Sequence, residues 1–460
     1  MVIKKDTPEI KKLKKKAREN SIQEGIFCSA RTSFGDSYIS PFAIAINASN
    51  SLVAMLTSVM GLLGPLSMTL GSRLIERFSR KRIVRKSVFL EALMWIPMII
   101  IAILYYKGII VNILPLIALI AFAIYTSLLN VAHPAWFSWM GDIVEEKHRG
   151  MWFSKRNLIT GFISIVLAFI ASLLLDFLKK NGLVMFGFII LFSLSLMARL
   201  ISWRIFKKQY EPKIKLKEGY YFSFWDFIIN APKNNFGRFT IFRALLGFSA
   251  AICSPLIAVY LLRNLGFSYT SYMIITLGGT FASLFLLELW GKFADKYGNY
   301  RTIVLASMLI PIEAVLWVLN PNMLYILIPS VISATAWAGI HLGAGNFIYD
   351  NVSQEKRGLA VSYFNMVWGI GVFLGASLGA ILIKFLDINF IAPITAIFFI
   401  SAIARAATAI WWLPKIKEIK KTQKFNTKKV FKNFLFKGAK TTISHEIHEI
   451  ISIKKYFHTK

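Results

Sequence analysis

The chain has 460 residues, of which 56% are hydrophobic and only 17% are charged. A soluble domain carries about 25% charged residues, so the composition argues against a soluble protein. The formal charge of +31 would be typical of a protein that binds nucleic acid. We exclude nucleic acid because the hydrophobic residues fall in continuous runs, each long enough to cross about 30 Å of hydrocarbon as a helix.

Twelve such runs follow one another along the chain. Their approximate spans are 25–47, 50–71, 83–105, 110–139, 152–178, 183–206, 237–262, 270–290, 302–319, 323–348, 358–384 and 389–412. The runs show no period of two, so transmembrane helices are expected rather than the strands of a barrel. The fourth run contains Pro134 and is long enough to be tilted or kinked. The predicted fold class is an all-α integral membrane protein with twelve transmembrane helices.

The basic residues are distributed unevenly among the segments that join these runs. If residue 1 lies inside, most of the 54 Lys and Arg residues fall in the two tails and the inner loops. The positive-inside rule then places both termini in the cytoplasm of a multi-pass cell-membrane protein. The predicted domains are a cytoplasmic basic tail, a six-helix bundle, a cytoplasmic linker with an interfacial segment, a second six-helix bundle and a second cytoplasmic basic tail, at 1–24, 25–206, 207–236, 237–412 and 413–460.

Short motifs recur in the same order in both halves of the chain. At a shift of 219, the matches are Glu76 with Asp295, Arg77 with Lys296, Ser79 with Gly298 and Arg82 with Arg301. At shifts of 206 to 222, the matches are Asp142 with Asp350, Arg149 with Arg357, Ser40 with Ser254, Glu91 with Glu313 and Arg199 with Arg405. A six-helix unit used twice in the same orientation explains the nearly constant shift, and such parallel repeats are found in transporters.

The Gly-x-x-x-Asp-Lys-x-Gly segment at 291–298 and its degenerate copy at 72–79 resemble the major facilitator superfamily, as do the twelve spans and the Asp-x6-Arg-Gly loops. The resemblance covers about residues 20–413. It implies that two bundles rock around one central cavity, which the first, fourth, seventh and tenth spans line. It also implies a cytoplasmic gate formed by the loop residues Glu76, Arg77, Arg82, Asp142, Arg149, Gly291, Asp295, Gly298, Arg301, Asp350 and Arg357. The first copy departs from the pattern where Ser79 replaces the glycine of a tight turn.

Ionisable residues inside a span need a partner or a function, because each costs about 2.5–3.5 kcal/mol at the centre of a helix. Glu91 and Arg199 lie at similar depths in the third and sixth spans, and both recur in the second half as Glu313 and Arg405. We interpret them as one structural ion pair in each half. A role in coupling is the alternative.

A second set of polar residues is predicted to handle solute or protons. His133 and His341 occupy equivalent positions of the repeat, and Asn130 shares the helix face of His133. Asp36 lies near the middle of the first span, with no basic residue one helical turn away. A stripe at helical spacing surrounds it, formed by Ser29, Ser33, Ser40 and Asn47. The alternatives are satisfied core histidines and a structural pair between Asp36 and Arg31 or Arg243. Arg243 is also a candidate for binding an anionic substrate.

The leading hypothesis is a proton-coupled secondary transporter that exports a small organic or amphipathic solute as an antiporter. No Walker segment is present, so energy would come from an ion or solute gradient. Uptake of a sugar, nucleoside or organic acid is the alternative within the class, and a non-transporting membrane sensor or assembly partner is the alternative outside it. We expect a monomer that is not an enzyme, has no catalytic residue, metal or cofactor, and meets anionic lipid at its basic tails.

Overall fold

The computed structural model describes residues 7–145, 149–212, 223–353, 357–387 and 391–419. All regular structure in these ranges is helical. The predicted basic tail beyond residue 419 and the linker residues 213–222 lie outside the described residues. The interpretations of the C-terminal tail and of most of the interfacial linker therefore stay predictions.

Eight α-helices form the first half of the chain. They are α1 (Pro8–Phe34), α2 (Ile39–Ala45), α3 (Asn50–Arg77), α4 (Arg80–Leu93), α5 (Trp95–Tyr106), α6 (Leu114–Ile143), α7 (Arg149–Lys180) and α8 (Val184–Lys208). Eight more follow. They are α9 (Phe224–Asn230), α10 (Asn235–Ala251), α11 (Ile257–Val259), α12 (Tyr269–Tyr297), α13 (Asn299–Leu319), α14 (Met323–Asn351), α15 (Arg357–Phe385) and α16 (Pro393–Trp412).

Eleven helical segments of the described residues are long and apolar enough to cross a membrane. The predicted all-α membrane class is confirmed, and α6 runs without a break through Pro134. The first predicted span is not among the eleven. Instead of one helix over 25–47, the chain forms α1, a 3₁₀ turn at Asp36–Tyr38 and then α2.

The N-terminal basic segment folds as part of α1, which begins at Pro8 within the predicted tail. Thr7 caps it by accepting a hydrogen bond from the Ile10 N–H at 3.4 Å, and proline suits the first turn because its missing N–H would be unpaired there. The helix ends at Gly35, where a Cβ atom would overlap the indole ring of Trp95. A glycine is therefore needed for the close approach of this break to α5.

Two compact units make up the structure. The first comprises Met1–Gly219, Ser254–Met273 and Gly369–Leu386. In it, α1 packs on α7 and α8, and α3 packs closely on α6. A Cβ atom at Gly71 would overlap the backbone of Val131, so glycine permits this approach of α3 to α6. The last part of α15 also packs on α3, where the Ser58 and Ser377 hydroxyls lie 2.7 Å apart.

The second unit comprises Tyr220–Cys253, Ile274–Trp368 and Asp387–Lys460. Its core lies among α10, α13, α14 and α16, and aromatic side chains fill much of it. Phe239 is fully buried, with its ring centroid 4.6 Å from that of Phe347. Trp290 is also buried and donates its indole N–H to the Thr335 carbonyl at 2.9 Å. These contacts fix α10 and α12 against α14.

Candidate functional site

A cavity of about 290 Å³ lies within the first unit, between α1, α4, α6, α7 and α8. Its apolar walls carry a group of polar and charged side chains, which are Glu24, Arg31, Asn130, His133, Arg156 and Arg199. The predicted residues Asn130 and His133 therefore line a cavity. The amide of Asn130 donates to the Thr126 carbonyl at 2.8 Å, which fixes its orientation on α6.

Two buried carboxylates and two arginines form a chain of ion pairs beside this cavity. Glu24 lies 3.2 Å from Arg156 and 3.4 Å from Arg199. Arg199 also binds Glu91 at 2.6 Å. The structure thus places Arg199 against its predicted partner. Glu24 and Arg156 were not singled out from the sequence, because Glu24 borders a Lys-rich segment that resembles a solvated tail.

Arg31 extends this chain of ion pairs to Asp36. Its Nη1 donates to Asp36 Oδ2 at 2.5 Å, and its Nε lies 3.6 Å from Glu91 Oε1. The Tyr125 hydroxyl donates to the other Asp36 oxygen at 2.5 Å and also contacts the Arg31 guanidinium. The side chain of Asp36 is 29% exposed, whereas that of Glu91 is fully buried. Arg31 is therefore shared between a reachable carboxylate and an enclosed one.

Of the alternatives for Asp36, the structure shows the pair with Arg31, which lies five residues away and not one helical turn away. Residues five apart point to different sides of a continuous helix, and the break at Gly35 brings them together. The same break ends the predicted polar stripe, with Ser40 beyond it on α2. Ser33 is buried and donates to the Ser164 carbonyl at 3.0 Å, so it holds α1 against α7 instead of lining the cavity.

The second unit contains the predicted pair of Glu313 and Arg405. Their side chains lie 2.5 Å apart, and the Trp317 indole donates to Glu313 at 2.7 Å. Arg405 donates further to the carbonyls of Ile310 and Ala250, at 3.0 and 3.2 Å. The arrangement is a closed, hydrogen-bonded ion pair. Among the described residues, no second acid or arginine joins this pair, in contrast to the group around Arg199.

Arg243 of α10 is another buried charged residue of the second unit. Its side chain is 2% exposed and its Nη2 lies 3.3 Å from His341 Nδ1. The guanidinium carbon lies 5.0 Å from the ring centroid of Trp337 and 5.2 Å from that of Trp368. Within the described residues, Nε and Nη1 have no hydrogen-bond acceptor, and no carboxylate lies within 4.0 Å. The two predicted site residues Arg243 and His341 are therefore in contact.

The loops expected to form a gate are organised by two residues that sequence reasoning missed. Arg80 is buried and binds Asp142 at 2.7 Å, and the Asn299 amide donates to Asp350 at 2.6 Å. Arg80 and Asn299 are matching positions of the repeat, at the shift of 219. The repeat could have identified both residues, since Arg80 directly follows Ser79 and Asn299 directly follows Gly298 in the recurring motif.

The two copies of the motif make their turn differently. Gly298 has φ +97° and ψ 160°, a conformation open to glycine alone, directly before α13. Ser79 has φ −63° and ψ 144°, and its hydroxyl caps α4 by accepting from the Arg82 N–H at 3.2 Å. The departure noted at Ser79 thus replaces a glycine turn by a helix cap.

The remaining gate candidates lie at the ends of the same helices. Glu76, Arg77, Arg82 and Asp295 are exposed, Gly291 is half-buried, and Arg301 donates to the Tyr297 carbonyl at 3.4 Å. The side chains of Arg149 and Arg357 lie outside the described residues. The gate itself stays a prediction.

Solved structures of transporters share this fold. A crystal structure of the nucleoside transporter NupG is 15% identical, with a TM-score of 0.68 over 88% of this chain and all of the other. A bacterial homologue of the iron transporter ferroportin, in an inward-facing state, is 13% identical with a TM-score of 0.67. The match covers 87% of this chain and 98% of the homologue. A D-xylose-proton symporter is 14% identical with a TM-score of 0.61, and the match covers 88% of this chain and 98% of the symporter.

Comparison with curated protein sequences gives no match. A family model described as Major Facilitator Superfamily matches residues 25–233 and 239–457, which is most of the chain in two consecutive parts. The helical fold, the apolar spans and the recurring loop motifs agree with this match. The chain belongs to the major facilitator superfamily and is a multi-pass membrane protein of this transporter family.

Proposed function

We propose that the chain is a secondary active transporter that couples the movement of protons to that of a small organic solute by alternating access. The observation that carries the proposal is the sharing of Arg31 between Asp36, at 2.5 Å, and Glu91, at 3.6 Å. Asp36 is the most exposed carboxylate of its cluster, so a proton from solvent reaches it before it reaches Glu24 or Glu91.

Protonation of Asp36 changes which partner holds Arg31. A neutral carboxyl group attracts the guanidinium far less than a carboxylate does, particularly where little water screens the charges. The Arg31 Nε and the Glu91 Oε1 are both buried without a hydrogen-bond partner, and they face each other across 3.6 Å. On protonation we expect Arg31 to leave Asp36 and close this gap, which gives the cluster two discrete arrangements.

The cluster is able to pass this change to several helices. Glu91 on α4 also binds Arg199 on α8, which contacts Glu24 on α1. Glu24 binds Arg156 on α7. A shift of Arg31 towards Glu91 therefore changes the charge balance at contacts that join four helices of the first unit. Packed elements with two arrangements are the means by which small local shifts become larger movements.

The direction of transport is part of the proposal. Export of an organic solute in exchange for protons is the first candidate, because the cavity in the first unit has apolar walls that suit such a solute. Uptake of an organic acid together with protons is the second candidate, and the buried cation Arg243 favours it because a cationic site attracts acids. The D-xylose-proton symporter demonstrates that this fold accommodates proton coupling.

Reconstituted protein tests the coupling. Vesicles loaded with a pH-sensitive dye are given a pH gradient and a panel of organic acids, nucleosides, sugars and amphipathic cations. We expect the wild type to move protons only when its solute is present, inward or outward according to symport or antiport. Asp36→Asn is expected to lose gradient-driven flux but to keep exchange of labelled for unlabelled solute, which needs no proton movement.

Asp226→Asn is the matched control, because Asp226 is an exposed carboxylate on α9 and belongs to the other compact unit. It is expected to behave as the wild type. Gradient-driven flux that persists unchanged in Asp36→Asn would refute proton coupling through this residue.

A further inference from the structure

Arg243 differs from the other arginines inside the helical units. The other buried arginines among the described residues, Arg31, Arg80, Arg199 and Arg405, each lie within 4.0 Å of a carboxylate. Among the described residues, no carboxylate lies this close to Arg243, although its side chain is only 2% exposed. A buried charge without a counter-ion loses its hydration and gains no ion pair in return. The sequence therefore keeps a destabilising cation at this position.

The neighbours of Arg243 compensate its charge only in part. Trp337 and Trp368 present their rings at 5.0 and 5.2 Å, and such cation–π contacts are weaker than a desolvated ion pair. His341 engages Nη2 alone. Nε and Nη1 stay without acceptors, and so does the buried indole N–H of Trp368. Two guanidinium donors and one indole donor thus lack an acceptor in one small region.

We propose that Arg243 binds the carboxylate or phosphate group of an organic anion, with Trp337 and Trp368 contacting the organic part. The inference rests on the proposed transport function and names the class of its solute. A guanidinium presents parallel N–H groups on two edges, Nε with Nη2 and Nη1 with Nη2, and each edge matches two oxygens of a carboxylate or phosphate. One anion on either edge therefore gives an acceptor to one of the two unpaired nitrogens of Arg243. The same anion supplies the missing counter-charge and an acceptor for the Trp368 indole.

Without an anion, the aromatic rings hold the guanidinium in place. Indole rings lie over the cation and also form the apolar surface on which a flat organic group stacks. His341 is exposed and contacts Nη2 of Arg243, so the side on which His341 lies is the side from which an anion can approach the guanidinium. We therefore expect organic anions to bind more tightly than inorganic phosphate, which has no apolar part.

Binding to the full-length protein in a neutral detergent tests the proposal. The probes are benzoate, succinate and phenyl phosphate, with inorganic phosphate as the ion alone and benzamide as the uncharged match of benzoate. Calorimetry is expected to detect at least one organic anion and not benzamide. Arg243→Gln should weaken that binding at least about tenfold, since it removes a charge-assisted hydrogen-bonding fork. Arg243→Lys keeps the charge but loses the pair of parallel N–H donors, so its affinity for the anion should lie between those of the wild type and Arg243→Gln.

Two further variants separate binding from folding. Arg238→Gln removes an arginine from the same helix and should leave binding unchanged. Arg243→Gln without ligand should melt no lower than the wild type, because the lost charge had no counter-ion, whereas Arg405→Gln breaks an ion pair and should melt lower. A wild type that binds none of the organic anions, binds only inorganic phosphate, or binds benzoate and benzamide equally would overturn the proposal.

The two proposals fail in distinguishable ways. Binding in detergent needs no gradient, and Asp36→Asn is expected to bind the anion because Asp36 and Arg243 belong to different compact units. Suppose that Arg243→Gln loses anion binding but Asp36→Asn leaves pH-driven flux unchanged. The proposal that the solute is an organic anion would then stand, and the proposal that Asp36 couples transport to protons would fail.

Discussion

Arg199 and Arg405 occupy matching positions of the repeat, but their charges are balanced differently. Arg199 has Glu91 at 2.6 Å and also Glu24 at 3.4 Å. Arg405 has Glu313 at 2.5 Å as its one carboxylate within 4.0 Å among the described residues. Removing the first-half acid leaves Arg199 with a second carboxylate, and removing the second-half acid leaves Arg405 with none.

We expect Glu313→Gln to destabilise the protein more than Glu91→Gln. An unpaired buried charge costs about 3–5 kcal/mol, whereas loss of a charged hydrogen bond with a remaining partner costs about 1.5–3 kcal/mol. The apparent melting temperature of purified protein in one detergent measures both. Adding Arg405→Gln to Glu313→Gln should recover part of the loss. Strictly additive losses in that double variant would contradict the pairing.

Residue depth and repetition were enough to predict Glu91 with Arg199 and Glu313 with Arg405, because each pair recurs at one shift. The same signals did not decide between Arg31 and Arg243 as the partner of Asp36, since only a helix break brings residues five apart together. They also missed Tyr125, an uncharged residue whose hydroxyl donates to Asp36. At the position of Asp36, under the repeat shift of 214, the second half has Ala250, whose carbonyl binds Arg405. Asp36 and its charged cluster in the first unit therefore have no counterpart at the matching position of the second half.

At the scale of the elements, the two helix starts at Arg80 and Asn299 are the clearest product of the repeat. Each places a buried polar side chain against the end of a neighbouring helix, on Asp142 or Asp350. The turns that precede them differ, with Gly298 at φ +97° and Ser79 in extended conformation with a side-chain cap. The sequence predicted where these loops recur. It did not predict the turn at Ser79, because a serine cap and a glycine turn can each lead the chain into the next helix at the same position.

We expect Gly298→Ala to lower stability by about 1–3 kcal/mol, since an L-residue is strained in this backbone conformation. Ser79→Gly should cost only a few tenths of a kcal/mol, because glycine is itself tolerated at a helix cap. Thermal unfolding of the two variants in the same detergent makes the comparison. Equal losses would contradict the different turn geometries.

For the whole molecule, the division into compact units does not follow the division of the chain into halves. Ser254–Met273 and Gly369–Leu386 come from the second half, yet they belong to the unit built on the first. The contact is close where α3 crosses α15, since a Cβ atom at Gly61 would lie 2.8 Å from the Phe373 nitrogen. Hydrophobic runs predicted the helices but not this crossing, because small residues at a helix interface leave no periodic signal of their partner.

The crossing of α3 and α15 offers a test of alternating access, because it joins helices from the two halves of the chain, and these halves move against each other in that mechanism. The Ser58 and Ser377 hydroxyls lie 2.7 Å apart, so the double variant Ser58→Cys with Ser377→Cys should form a disulfide under mild oxidation. We expect flux into proteoliposomes to stop on oxidation and to return with a reductant. Each single variant serves as the control and should keep its flux under oxidation. Full flux through the cross-linked protein would show that this contact stays closed throughout transport, and movement would then have to occur elsewhere.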